Sequence, residues 1–158
     1  MGELTAGGRP RRFALHLPRT GSGGGIPLVI VLHGNHQDAT GQMMRDWTTF
    51  DEQAGAFGFA VAYPDGIGGC WADGRGVTTA DEEGVDDVAF LRALIDTMAD
   101  RHGTHPDRTV VAGVSNGAFM ATGSRSRRAR RWRCSPPSRA ACRPACVTRG
   151  PRMRCRRC

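Results

Sequence analysis

The chain has no lysine, a single tyrosine, no histidine after His105 and no aspartate or glutamate after Asp107. No apolar run approaches the roughly 20 residues needed to cross a bilayer, which excludes a transmembrane helix. The stretch from Met1 to Pro10 has no apolar segment between its charges, so no secretory signal is visible. A length of 158 residues suits one domain, but the composition is not uniform along it.

All 22 basic residues are arginine, and thirteen of them lie between Arg125 and Arg157. Residues 1–121 hold the other nine arginines and all fifteen acids, a net charge of −6, whereas the tail carries +13. The overall +7 is therefore a sum of two unlike pieces, and it does not by itself imply a nucleic-acid partner. Cysteine divides the same way, with Cys70 alone in the first part and Cys134, Cys142, Cys146, Cys155 and Cys158 in the tail. Only Cys155-x-x-Cys158 has the pair spacing of a metal site, and the other intervals are irregular, so no metal and no cofactor is expected.

From Arg12 to Leu17, Phe13, Leu15 and Leu17 alternate with Ala14 and His16, the period of a strand. A glycine-rich connector, Gly21 to Gly25, follows. Pro27–Leu32, Phe59–Tyr63 and Thr109–Ala112 are short continuous apolar runs, as in strands covered on both faces of a parallel sheet. Parallel neighbours need crossovers, and Val85–His102 supplies a helical one with Val88, Leu91, Leu94, Ile95 and Met98 along one face. Asp86 and Asp87 suit its positive end and Gly103 its left-handed stop, which makes both acids helix-start residues without a catalytic role. A second helix is expected from Thr48 to Phe57, ended by Gly58, and the glycine-rich loop from Pro64 to Ala80, with Cys70 and Trp71, is expected over a cleft. The fold class is α/β, in three layers with a mostly parallel sheet.

The chemistry lies in Thr109-Val-Val-Ala-Gly113-Val114-Ser115-Asn116-Gly117-Ala118-Phe119-Met120. A strand runs into Gly-x-Ser-x-Gly and then into residues fit to start a helix, the arrangement of a nucleophile elbow. Gly113 and Gly117 would remove side chains that clash around the strained turn, leaving Ser115 as the nucleophile. Attack on an ester puts negative charge on the carbonyl oxygen, so amide donors are needed there. The Asn116 N–H after the nucleophile is one, and the backbone of Gly34 or Asn35, in the loop after Pro27–Leu32, is the other. His33 and His36 are expected to shape that loop without moving protons.

Five segments together resemble the polyhydroxybutyrate depolymerase and feruloyl esterase family of α/β-hydrolases. These are Val-Ile-Val-Leu-His33-Gly34-Asn-His-Gln37, Tyr63-Pro64-Asp65-Gly66, Cys70-Trp71, Asp86-Asp87-Val-Ala-Phe-Leu and Gly113-Val-Ser115-Asn-Gly-Ala-Phe-Met120. The resemblance runs from about Arg12 to Ala121, in the family's order and approximate spacing. It implies a secreted or envelope-associated serine esterase acting on polyester or aryl esters, with Ser115 as nucleophile and Asn35 and Asn116 near the oxyanion. Cys70 would pair with another cysteine or simply pack.

In such hydrolases the triad runs Ser, then Asp or Glu, then His. Here all five histidines precede Ser115 and no acid follows it, so the chain is expected to be a truncated, catalytically incomplete hydrolase. Residues 1–121 form the esterase portion and 122–158 a basic, Arg/Cys/Pro-rich tail, expected to be disordered or out of frame. If Thr122–Arg128 is encoded ACC GGC TCG CGC TCG AGG CGC, one added C gives His-Arg-Leu-Ala-Leu-Glu-Ala. The same shift through Ala129–Pro137 can give an amphipathic helix followed by a buried strand, as a frameshift would explain. The rival reading takes the tail as a nucleic-acid or acidic-surface binder. Its arginines would hold phosphates non-specifically, but one Trp132 without periodicity makes a poor recognition surface.

Overall fold

The computed structural model describes residues 1–19 and 25–123. Five strands form one sheet in the order β1-β2-β4-β3-β5. They are β1 (Gly2–Ala6), β2 (Arg9–His16), β3 (Ile26–Leu32), β4 (Ala60–Pro64) and β5 (Thr104–Gly113). The centre is parallel, with Val29 of β3 opposite Val61 of β4 on one side and Val110 of β5 on the other. β2 joins β4 antiparallel, with Ala14 opposite Tyr63, and β1 closes that edge as a hairpin with β2. The sheet is therefore mixed, with parallel pairing confined to β4-β3-β5.

The apolar runs alternate across the sheet because successive side chains of a strand point to opposite faces. Leu28, Ile30, Leu32, Ala60, Ala62 and Phe13 face one side and pack with Phe90, Leu91, Leu94 and Met98 of α4 (Asp87–His102) and Met120 of α5 (Asn116–Gly123). Val31, Val61, Tyr63 and Ala14 face the other, against Met44 of α1 (Gly41–Trp47) and Ala54 of α2 (Phe50–Phe57). Helices thus cover both faces, the three layers of an α/β fold. Each large side chain so buried contributes about 1.5–3 kcal/mol.

Helix ends follow local chemistry. Gly58 and Gly103 take φ of 73° and 66° after α2 and α4, as their positions in the sequence require. Asp86 lies outside α4 as its N-cap, accepting from the Ala89 N–H at 2.9 Å. Asp87 does more than start the helix. It turns inward to pair with Arg11 at 2.6 Å, both side chains almost wholly buried, and it also accepts from the Ala72 N–H at 2.8 Å. The Arg11 guanidinium lies 3.8 Å over the Phe90 ring. The pair thereby ties β2, α4 and the loop after β4 together.

Some elements escape the sequence pattern. β1 was not expected, although Gly7-Gly8, with φ of 59° and 73°, is the pair that a two-residue hairpin turn demands. The short α1 and α3 (Thr79–Glu82) lack a full amphipathic repeat. β5 begins five residues earlier than its apolar run, with its register irregular between Ile26 and Leu28. Its His105-Pro106-Asp107 breaks the pattern, yet proline is tolerated because β5 lies at the edge. Within the loop from Pro64 to Ala80, Cys70 and Trp71 are buried, whereas Gly74 to Val77 are exposed. α5 runs to Gly123, and the Thr122 hydroxyl donates to the Ala118 carbonyl at 2.8 Å. The arginine-rich tail, the Cys155-x-x-Cys158 pair and the frame change expected there lie outside the described residues. Among the described residues no helix is long and apolar enough to cross a membrane, and no cluster of three or more His, Cys, Asp or Glu side chains could hold a metal ion.

Candidate active site

At the end of β5 the chain reverses sharply. The Val114 N–H still donates to the Leu32 carbonyl at 3.1 Å, extending the β3–β5 pairing by one residue. Ser115 then takes a φ of 51°, and it is the one non-glycine residue with positive φ among the described residues. Such a conformation persists only where the surroundings impose it. Here the Gly117 N–H donates to the Val114 carbonyl at 2.9 Å, and the Ala118 and Phe119 N–H groups both reach the Ser115 carbonyl, at 2.9 and 3.1 Å.

The two elbow glycines are required by close approach. A Cβ on Gly113 would fall 2.5 Å from the Gly117 carbonyl carbon, and one on Gly117 would collide with the His33 and Leu32 carbonyls. With both absent, the first turn of α5 lies directly on the end of β3. The same contact brings the His33-Gly34-Asn35 loop to the serine, since a Cβ on Gly34 would be 3.4 Å from the Ser115 Cβ.

Ser115, Val114, Gly34, Asn35, His33 and His36 line one cavity of about 600 Å³ together with Ala39, Met43, Met44, Trp47 and Thr48. Ser115 and Asn35 are both exposed there. The structure therefore brings Ser115, Gly34 and Asn35 to one place. Asn116 divides in two. Its N–H, at the first position of α5, has no partner within the helix. Its side chain is buried on the other side, where Oδ1 accepts from the Trp71 N–H at 2.8 Å and Nδ2 donates to the Trp71 carbonyl at 3.1 Å and to Asp73 Oδ2 at 2.7 Å.

Trp71 and Asp73 form the support that sequence reasoning missed. The Trp71 indole N–H donates to the His33 carbonyl at 2.9 Å, and its ring lies 4.9 Å from the His33 ring. One buried residue thus joins the loop after β3, through its indole, to the first residue of α5, through its backbone. Burial opposes ionisation of Asp73, but hydrogen bonds from Arg75 and Asn116 outweigh it and hold the carboxyl below its ordinary pKa. Arg75 in turn lies 3.7 Å over the Phe119 ring. Trp71 stands in a sequence motif, Cys70-Trp71, but its partners are 38 and 45 residues away, and no periodicity announces them. Cys70 is buried as a free thiol, donating to the Ile67 carbonyl at 3.4 Å.

The His33 imidazole is fully committed. Its Nδ1 is 2.7 Å from the Gly34 carbonyl and must donate, while Nε2 accepts from the Gly66 N–H at 2.9 Å. Only the neutral ring satisfies both. Burial accordingly lowers its pKa, against the Gly34 carbonyl and the charges of Asp65 and Asp87, which act to raise it. His36 is exposed and accepts from the Asp38 N–H at 3.3 Å. His16 faces Asp51 at 3.3 Å beneath α2, and His105 lies at the opposite end of β5 from the serine. Among the described residues no imidazole hydrogen-bonds the Ser115 hydroxyl.

Asp65 holds the start of α1, part of the cavity lining, by accepting from the Gly41 N–H at 2.7 Å. The Thr40 hydroxyl caps the same end, accepting from the Met43 N–H at 3.2 Å. At the other end Arg45 pairs with Asp51 at 2.6 Å. Tyr63 donates to the same carboxylate at 2.8 Å, and burial followed by that hydrogen bond raises its pKa.

Residues 11–131 match the family described as Esterase PHB depolymerase. The NocK protein of Nocardia uniformis subsp. tsuyamanensis, named as an esterase, is 31% identical over 75% of this chain and 35% of its own length. Poly(3-hydroxyalkanoate) depolymerase C of Paucimonas lemoignei is 30% identical over 68% of this chain and 26% of its own. The chain thus spans about a third or less of the relatives it matches. Among solved structures, the acetyl xylan esterase from Aspergillus awamori superposes with a TM-score of 0.52 at 19% identity, over 72% of this chain and 42% of that one, a likeness of fold. With the elbow, the sheet order and this match in agreement, the chain belongs to the Esterase PHB depolymerase family of α/β-hydrolases.

Proposed function

We propose that the chain is the nucleophile-bearing part of a serine esterase that cleaves carboxylic esters. In this reading Ser115 Oγ gives up its proton to a base and bonds to the ester carbonyl carbon. The carbonyl oxygen takes the charge, and the alcohol leaves with a proton as the acyl-serine forms. Water then releases the acid and restores the serine. The oxyanion would meet the Asn116 N–H and a second amide from Gly34 or Asn35, donors fixed before reaction. Gly113 and Gly117 let the turn close, and Trp71 and Asp73 position Asn116. The observation that carries the proposal is the φ of 51° at Ser115 beside Gly34.

Substrates in the polyester or aryl-ester class, and action outside the cell, rest on the family resemblance. Among the described residues no imidazole hydrogen-bonds the Ser115 hydroxyl, and His33 has both nitrogens engaged. The 158-residue chain alone is therefore a poor catalyst, because a serine without a base is weakly nucleophilic at neutral pH. Added imidazole can stand in for that base. With p-nitrophenyl acetate, the chain without imidazole should stay near the solvent rate. With imidazole it should exceed imidazole alone, and Ser115→Ala should remove the excess. Equal rates for Ser115→Ala and the parent under every condition would refute the esterase reading. Ser115-dependent turnover without imidazole would refute only the claim of inactivity.

A further inference from the structure

Stabilising an oxyanion needs two amides at a fixed separation before the substrate arrives, yet the loop that carries one of them has little packing of its own. Asn35, His36, Gln37 and Asp38 are consecutive exposed residues. Such a loop keeps one position only when bonds from outside tie it down.

Those bonds come from residues 66–71. The Gly66 N–H donates to His33 Nε2 at 2.9 Å, the His36 N–H donates to the Gly69 carbonyl at 3.1 Å, and the Trp71 indole N–H donates to the His33 carbonyl at 2.9 Å. The segment is itself a closed turn. Ile67 and Cys70 form an antiparallel bridge, the Cys70 N–H donates to the Ile67 carbonyl at 3.2 Å, and the Cys70 sulfur accepts from the Ala80 N–H at 3.4 Å. Gly68 and Gly69 make its corner, with φ of 60° and 69°. The fit is closest at Gly69, where a Cβ would collide with the His36 carbonyl. One on Gly68 would meet nothing nearer than the Thr79 methyl at 4.0 Å. The same turn reaches the other donor, because the Trp71 backbone N–H and carbonyl hold the Asn116 side chain at 2.8 and 3.1 Å.

We propose that residues 66–71 set the spacing between the two oxyanion donors, with Gly69 as the positioning residue for the donor in the Gly34–Asn35 loop. The proposal rests on the esterase reading. A side chain at Gly69 pushes the His36 end of that loop away and moves Gly34 and Asn35 relative to Asn116. The loss falls on the transition state, which carries the charge, and spares binding of the neutral ester.

The test compares Gly69→Ala with Gly68→Ala in the full chain, with imidazole supplied as the base and p-nitrophenyl acetate as the ester. Both changes place alanine at a positive φ, so they share the backbone strain and differ in the collision with His36. After subtraction of the Ser115→Ala rate, Gly69→Ala should lower kcat roughly tenfold or more and leave KM close to the parent's. Gly68→Ala should stay near the parent in both. Hydrogen exchange gives a readout that needs no turnover. In the parent, the His36 amide and the Trp71 indole N–H should exchange at least roughly tenfold more slowly than in the urea-unfolded chain, and Gly69→Ala should remove the protection at His36. Equal losses of kcat in the two variants, a loss confined to KM, or a His36 amide that exchanges at the unfolded rate in the parent would overturn the proposal. The last of these decides against it even where Gly69→Ala does not fold. A protected His36 amide beside equal hydrolysis by the parent and Ser115→Ala would instead refute the esterase reading, and the proposal with it.

Discussion

Ser115 occupies a conformation that glycine tolerates and a β-branched residue does not. Ser115→Gly should therefore melt at or above the parent's temperature, whereas Ser115→Val should lose about 1–2 kcal/mol in denaturant unfolding. A second residue-scale effect concerns His33. Its pKa is lowered in the folded chain, so the unfolded chain takes up a proton first as the pH drops. Its contribution is complete above the ordinary value of 6.5 and is lost as the pH falls through the depressed folded value. Melting temperature measured downward from pH 7 should decline, and His33→Asn should flatten that part of the profile. Of the site, the serine and its glycines were legible because the motif directly follows an apolar strand. The sequence also pointed to the Gly34–Asn35 loop. Trp71, Asp73 and the commitment of both His33 nitrogens were not legible, since each depends on contacts made across more than thirty residues.

Elements whose signal is local emerged with nearly the right bounds. α4 has a long apolar stripe and two competent ends, and β3 and β4 are uninterrupted apolar runs. β1 did not emerge, because alternation over five residues is a weak signal. The sequence marks Asp87 only as a helix-start acid, since it cannot show that Arg11 lies opposite it. Removing one partner of this buried pair leaves the other charge unpaired, so Asp87→Ala should cost about 3–5 kcal/mol. The double change Arg11→Met with Asp87→Leu should recover much of that loss, as read from the midpoint and slope of urea unfolding.

The molecule as described ends its sheet at β5, which pairs with β3 alone. Val110 in β5 and Val114 just after it are 60% and 57% exposed. An open strand edge beside exposed apolar side chains invites self-association. Light scattering of the full chain should show concentration-dependent assembly, and Val110→Lys should reduce it while leaving ellipticity unchanged. The layered α/β class was legible from apolar runs separated by crossover lengths. The edge hairpin and the extent of β5 depended on pairing that a single sequence does not display.

The central claim is that Ser115 projects from a strand-to-helix bend against the loop at Gly34. A crystal structure of the chain tests it most directly. It should show a positive φ near 51° at Ser115, Gly34 in contact with the serine, and Asn116 joined to Trp71 and Asp73. Ser115 in an ordinary negative-φ loop, separated from Gly34, would contradict the account.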